Sequence, residues 1–269
     1  MSDDFDLDAY LVRIQWGGAL RHDRETLAGL LGAHMARIPF ENLDVLLGRP
    51  IRLDLDGVQS KLVRAGRGGY CFEHATLLAA ALEQLGFKPA RHSARVTLFV
   101  PRSAAPRTHM FLTVPLAEGR FVLDPGFGAL APRLPVPLAE GEHAQIGAER
   151  HAMVRDGRFW AQRAQVGGAP VDAWASTLEE DYATDFELGN HYTATHPASP
   201  FVQRIMLRAL TDGGRVTVLN RDVTVWRGNP PEPVQLADRS ALRALLAEHF
   251  GFDLPEVERL RVPSIAQWQ

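Results

Sequence analysis

The chain has one cysteine, and its setting points to chemistry. It lies in Gly66-Arg67-Gly68-Gly69-Tyr70-Cys71-Phe72-Glu73, where three glycines run into an apolar stripe of helical spacing (Leu77, Leu78, Ala81, Leu82, Leu85). That spacing predicts a helix over 71–85, with Gly86 as its C′ residue. Cys71 then falls in the first turn, among unpaired N–H groups and the positive end of the dipole. A thiolate is stabilised there and becomes a usable nucleophile. Most free cysteines are buried small hydrophobes; the glycine-rich lead-in and the helix-start position turn this one toward function.

A cysteine nucleophile needs a base, and the base needs an orienting group. Among ten histidines, His109 is best placed, at the start of the apolar strand His109-Met-Phe-Leu-Thr-Val114. Asp124 ends the next short strand, Phe121-Val-Leu-Asp124, and opens the turn Pro125-Gly126-Phe127-Gly128. Two adjacent strands can hold the imidazole against the carboxylate and leave its other nitrogen for the thiol. His74 is the rival, three residues after Cys71 on one helix face. It lacks an orienting carboxylate, because Glu73 points elsewhere. His34 reads as a core histidine in an apolar stripe. His22, His92, His143, His151 and His249 read as solvated. The sequence has no Gly-x-Ser-x-Gly elbow, no phosphate-binding loop and no metal-ligand spacing, so the site is expected to need no metal.

These residues need a scaffold. The first third reads helical: Phe5–Ile14 capped by Asp6 or Asp8, a helix from Asp23 stopped by Pro39, another over 56–65, then the one carrying Cys71. Strand patterns follow at 91–100, 108–114 and 120–124. Asp156-Gly157 and Asp212-Gly213-Gly214 mark two hairpins, and Val223–Trp226 extends the second. A last helix fits 237–250, closed by Gly251. Pro132–Pro137 and Pro230–Pro233 read as linkers.

Composition sets the outer bounds. At 269 residues, with 46% hydrophobic and 23% charged residues, the chain has enough apolar content for a buried core and is not disordered. A net charge of −3 gives no basic field for nucleic acid or an anionic membrane. A single cysteine excludes an internal disulfide and suits a reducing compartment. No apolar run approaches the ~20 residues that span a bilayer, and MSDDFDLDAY is unlike a signal peptide. The expectation is a soluble cytoplasmic protein.

Taken together, Arg67-Gly-Gly-Tyr-Cys71-Phe-Glu73, Thr108-His109-Met and Asp124-x-Gly126-Phe127-Gly128 resemble the arylamine N-acetyltransferase family. Phe5-Asp-Leu-Asp-Ala-Tyr10 is similar to its opening helix, Ile38-Pro-Phe-Glu-Asn-Leu43 to an early loop, and Asn190–Phe201 to a segment that brings an aromatic residue into the cleft. The match runs in order along essentially the whole chain. One departure is Pro125, where the family more often has a small or β-branched residue; proline offers no N–H.

The resemblance implies an α+β, multi-domain fold: an N-terminal helical bundle (1–87) carrying the nucleophile, a central β-barrel (88–190) carrying His109 and Asp124, and a C-terminal α/β lid (191–269), with a papain-like arrangement of the triad. It assigns Cys71 as nucleophile, His109 as base and Asp124 as orienter. It places Phe40, Gly126, Phe127, Gly128 and Phe201 around the substrate, with the backbone N–H groups of Cys71 and Phe72 as the oxyanion site. Arg67 and Glu41 are expected to pair and hold the Cys71 loop. The implied activity is ping-pong acetyl transfer from acetyl-CoA to an arylamine, arylhydrazine or N-hydroxyarylamine, as in xenobiotic metabolism, with no metal. The expected partners are coenzyme A and a small aromatic amine or hydrazine, not nucleic acid or membrane; self-association is left open. Rival readings are an amide synthase of this fold using a carrier-bound acyl group, a papain- or transglutaminase-like thiol enzyme, and a non-catalytic binding module.

Overall fold

A computed structural model describes residues 5–227 and 231–268. The first third is helical: α1 (Leu7–Arg13), α2 (Arg24–Arg37), α3 (Leu43–Leu46), α4 (Leu55–Val58) and α5 (Cys71–Gln84). Asp6 and Asp23 cap α1 and α2 by accepting N–H bonds from Ala9 and Thr26. The helix expected over 56–65 is α4 followed by a π-helical turn, Gln59–Arg64. Helix α5 ends as expected, with Gly86 at φ +85°, where a side chain would be strained. A two-residue strand, β1 (Phe40–Glu41), sits between α2 and α3.

The middle of the chain forms an eight-stranded antiparallel sheet from β2 (Ala90–Val96), β3 (Arg107–Leu116), β4 (Gly119–Leu123), β5 (Val136–Pro137), β6 (Ala144–Ile146), β7 (Glu149–Asp156), β8 (Phe159–Gln165) and β9 (Val171–Ser176). Its order is β5-β4-β3-β2-β9-β8-β7-β6. The sheet curls until β5 meets β7, giving a nearly closed, barrel-like body around Ala94, Phe111, Val122, Met153 and Trp174. The strand expected over 91–100 stops at Val96. The Pro132–Pro137 stretch is not simply a linker. Val136 and Pro137 pair with β4 as an edge strand, a position where a missing N–H is tolerated.

Two further helices, α6 (Ala183–Thr195) and α7 (Pro200–Gln203), lead to β10 (Met206–Thr211), β11 (Gly214–Leu219), β12 (Asp222–Trp226) and β13 (Glu232–Gln235), then α8 (Arg239–Leu245) and a π-helical turn closed by Gly251. The second sheet has the order β1-β10-β11-β12-β13, so residues 40–41 join a sheet whose other strands all lie in the last third of the chain. Of the expected Pro230–Pro233 linker, Pro230 lies outside the described residues. Pro233 stands in the edge strand β13, paired with Thr224. Leu207, Val216, Val218, Leu242, Leu246 and Val257 form the core between this sheet and α8. A third core, from Tyr10 and Leu30 through Phe72 and Leu78 to Leu112 and Leu123, joins the helices to the barrel. Among the described residues, no helix is long and apolar enough to cross a membrane.

Candidate active site

Cys71 is the first residue of α5, after the N-cap Tyr70, and is 3% exposed. The N–H groups of Cys71 and Phe72 stand in the first turn, where no i−4 carbonyl receives them. The loop before α5 is held by buried charges. Arg67 donates to Glu41 (2.6 Å) and Asp44 (3.3 Å); Lys61 donates to Asp44 (2.9 Å) and Glu73 (2.8 Å). Glu73 also accepts the Tyr70 N–H at 3.0 Å. The expected Arg67–Glu41 pair is therefore a member of a larger network, and its burial makes removal of one partner costly.

Strand β3 carries His109 and the end of β4 delivers Asp124. The imidazole Nε2 bonds Asp124 Oδ2 at 2.9 Å, with the ring 2% exposed and the carboxylate fully buried. Cys71 acts on the same imidazole, and its Sγ lies 3.8 Å from the Thr108 carbonyl oxygen. Burial disfavours the imidazolium, but the charge and hydrogen bond of Asp124, together with Cys71, outweigh it and push His109 up to about 10. The three residues read from the sequence thus meet in one buried chain of contacts.

His74 does not join them. Its Nδ1 lies 2.9 Å from His34 Nε2, and its Nε2 lies 3.2 Å from the Pro39 carbonyl oxygen. Burial, above all, pushes it down to about 4. His34 is a core residue as expected, bonded also to the Tyr10 hydroxyl at 3.0 Å. Two other histidines correct the sequence reading. His92 is buried between the Glu179 carbonyl and the Thr113 hydroxyl, and His151 is buried with its Nδ1 accepting from Gln162. Both are strand residues whose side chains alternate inward.

The glycines around the aspartate permit close approach. A Cβ on Gly126 would lie 2.4 Å from Cys71 Cα, and one on Gly128, at φ +64°, would lie 3.4 Å from the Phe40 ring. Phe127 packs edge-on to His109 at 4.8 Å. Phe201 meets Phe40 at 6.2 Å and Tyr70 at 5.3 Å, so three aromatics adjoin the cysteine loop. Asn42 fixes this segment by donating to the carbonyls of Phe201 and Arg204, while Asn190 accepts the Tyr70 hydroxyl and donates to Ile51.

Sequence reasoning missed Trp174. Its indole N–H donates to Asp124 Oδ2 at 2.8 Å, and its ring stacks on Phe111 at 4.2 Å. Asp124 Oδ1 has no partner among the described residues, and Pro125, next in the chain, has no N–H to offer. No signal local to residues 109–128 announces a tryptophan 50 positions on. Among the described residues, no group of three or more His, Cys, Asp or Glu side chains could hold a metal ion.

A buried Cys, His and Asp meet at the junction of a helical region and a curled antiparallel sheet, the arrangement a thiol nucleophile would need. Comparison with known proteins narrows it. A family model described as N-acetyltransferase matches residues 23–259. The arylamine N-acetyltransferase of Mycolicibacterium smegmatis is 35% identical over 94% of both chains. A Salmonella typhimurium relative named arylamine N-acetyltransferase / N-hydroxyarylamine O-acetyltransferase is 33% identical over 94% of this chain and 90% of its own. The solved structure of Mycobacterium marinum arylamine N-acetyltransferase in complex with CoA superposes with a TM-score of 0.88, at 31% identity over 94% of each chain. The chain belongs to the arylamine N-acetyltransferase family.

Proposed function

We propose that this protein transfers the acetyl group of acetyl-CoA to arylamines, arylhydrazines or N-hydroxyarylamines through an acetyl-Cys71 thioester. The observation that carries the reading is the buried His109–Asp124 hydrogen bond, with Cys71 acting on the same imidazole. His109 takes the Cys71 proton, which gives the thiolate that reacts. The thiolate attacks the thioester carbonyl, the C–Sγ bond forms, the bond to the CoA sulfur breaks, and His109 gives its proton to the departing thiolate. One thioester replaces another, so the acyl group stays activated.

The amine then attacks the same carbonyl. Neutral His109 takes the amine proton, the C–Sγ bond breaks, and the ion pair is restored. Asp124 keeps the ring oriented and supports its charge, with Trp174 fixing the carboxylate. Backbone N–H groups of Cys71 and Phe72 face the developing oxyanion; one such donor typically contributes ~10²–10³ in rate. Phe40, Phe127 and Phe201 with Gly126 and Gly128 shape a slot for a flat ring. In the same reading the chain divides into a helical unit (1–87), a barrel unit (88–190) and an α/β lid (191–269). The names of its relatives and the CoA complex support acetyl-CoA as donor.

The test is mass spectrometry of the protein mixed with acetyl-CoA, then chased with an arylamine. One acetyl adduct should form on Cys71 and disappear as amide accumulates. Cys71→Ala should form none. Amide made by that variant would remove the mechanism.

A further inference from the structure

Three side chains from three helices form one buried hydrogen-bonded chain that the proposed chemistry does not use. The Tyr10 hydroxyl of α1 lies 3.0 Å from His34 Nδ1 in α2. His34 Nε2 lies 2.9 Å from His74 Nδ1 in α5, and His74 Nε2 lies 3.2 Å from the Pro39 carbonyl oxygen. None of the three residues is more than 1% exposed.

The chain has a direction. Burial, above all, lowers both rings, His34 well below its ordinary value and His74 to about 4. The charges of Arg13 on His34, and of Lys61 and Arg208 on His74, act the same way. Both rings are therefore neutral at neutral pH, each with one N–H and one accepting nitrogen. A carbonyl oxygen can only accept, so the His74 proton sits on Nε2. Its Nδ1 then accepts from His34 Nε2–H, and His34 Nδ1 accepts from the Tyr10 hydroxyl. Burial raises the Tyr10 hydroxyl above its ordinary value, so its proton stays in place. The opposite order would set two lone pairs against each other at Pro39.

The chain ends at the cysteine loop. The Pro39 carbonyl also accepts the Gly69 N–H at 3.2 Å, and Gly69 accepts the Glu41 N–H at 2.8 Å. Gly69 stands two residues before Cys71, and its backbone acts on the His74 ring as well. His74 donates its own backbone N–H to the Tyr70 carbonyl at 3.0 Å. One residue thus grips the loop twice, through its backbone at Tyr70 and through its ring at the carbonyl that holds Gly69. We propose that His74 is a positioning residue for the nucleophile: its ring, given its tautomer by Tyr10 through His34, fixes the Pro39 carbonyl and with it the place where Cys71 enters α5. This rests on Cys71 being the nucleophile. A chain that only stabilised three helices could end on any acceptor; this one ends on the carbonyl that carries the cysteine loop.

The chain has one cysteine, so alkylation by iodoacetamide reports on Cys71 alone, with no acyl donor or amine present. Rates are compared near neutral pH, well below the melting temperature of each variant. His74→Phe keeps a ring but offers neither donor nor acceptor, and should slow alkylation at least ~10-fold, as displaced reacting groups do. Tyr10→Phe removes one oxygen at the far end of the chain and should slow it about 3–10-fold, the size of one hydrogen bond. His74→Gln carries an acceptor and a donor in one side chain, and should return to within about 3-fold of wild type. Variants that melt earlier yet react at the wild-type rate while folded would make the chain a stabiliser only, and would overturn the proposal. Nitrogen NMR of isotope-labelled wild type needs no variant to fold. Both rings should be neutral with the proton on Nε2, and a His74 proton on Nδ1 would equally overturn the proposal. If wild-type Cys71 reacts no faster than free cysteine, the nucleophile reading fails first and this one with it. Fast alkylation that no variant slows leaves that reading standing and removes this one alone.

Discussion

His109 links the proposed chemistry to the stability of this protein. The ordinary imidazole value is 6.5, and here it is pushed up to about 10, with Asp124 and Cys71 overcoming burial. A folded value above the unfolded one gives stabilisation that is complete below about 6.5, declines as pH rises, and is gone above about 10. The melting temperature should therefore fall as pH is raised from 7 to 10, and His109→Gln should flatten that part of the curve relative to wild type. Parallel curves for the two proteins would remove the ion pair from the account. Cys71, His109 and Asp124 were legible because each sits at the end of an element whose pattern is local. Trp174 was not, because its bond to Asp124 is made across the fold. Trp174 lies 50 residues beyond Asp124, so no local pattern joins the two.

At the scale of elements, the site depends on how closely the turn after β4 approaches the first turn of α5. Gly126 is the contact point. A methyl group there would press on Cys71 at its Cα (2.4 Å), backbone N and Cβ (both 3.1 Å), and helix backbone cannot step aside as a flexible side chain would. Gly126→Ala should separate Asp124 and His109 from the thiol. We expect acetyl transfer reduced at least ~10²-fold, as small displacements of reacting groups do, and stability lowered by about 1–3 kcal/mol through overpacking. Steady-state rates and urea melts measure the two. A variant that keeps full rate would mean that the turn has room the geometry denies. Helix α5, both Asp-Gly and Gly-Gly hairpins and the closing Gly251 follow from local turn and cap chemistry, so the sequence reading of them stands in the structure. The expectation of a linker over Pro132–Pro137 failed for a physical reason. Val136 and Pro137 are too short a run to signal a strand, and they become one only because β4 offers an edge.

The whole molecule is tied together by residues 40–43, which belong to the first third of the chain but fold with the last. Phe40 and Glu41 are the edge strand beside β10, Asn42 accepts the Met206 N–H at 2.9 Å, and Leu43 is buried in the core beneath α8. Immediately before them, Pro39 and Gly68 pack so tightly that a Cβ on Gly68 would lie 2.1 Å from the Pro39 carbonyl oxygen, which links this segment to the cysteine loop. The Cys71 loop thus depends on strands from the far end of the chain. A chain ended after Gln203 would lose β10–β13 and α8, leave Phe40 and Glu41 without their strand partner, and expose Leu43. Each fully buried leucine or valine that loses its cover forfeits about 1.5–3 kcal/mol, and Asn42, which holds the Phe201 carbonyl, loses its bonds to Arg204 and Met206. Such a chain should form no acetyl adduct at Cys71 under conditions that label the full-length protein completely, even though Cys71, His109 and Asp124 are all retained. Equal labelling of the two would show that the helical region and barrel build the nucleophile alone, and that the last sheet serves only the acceptor.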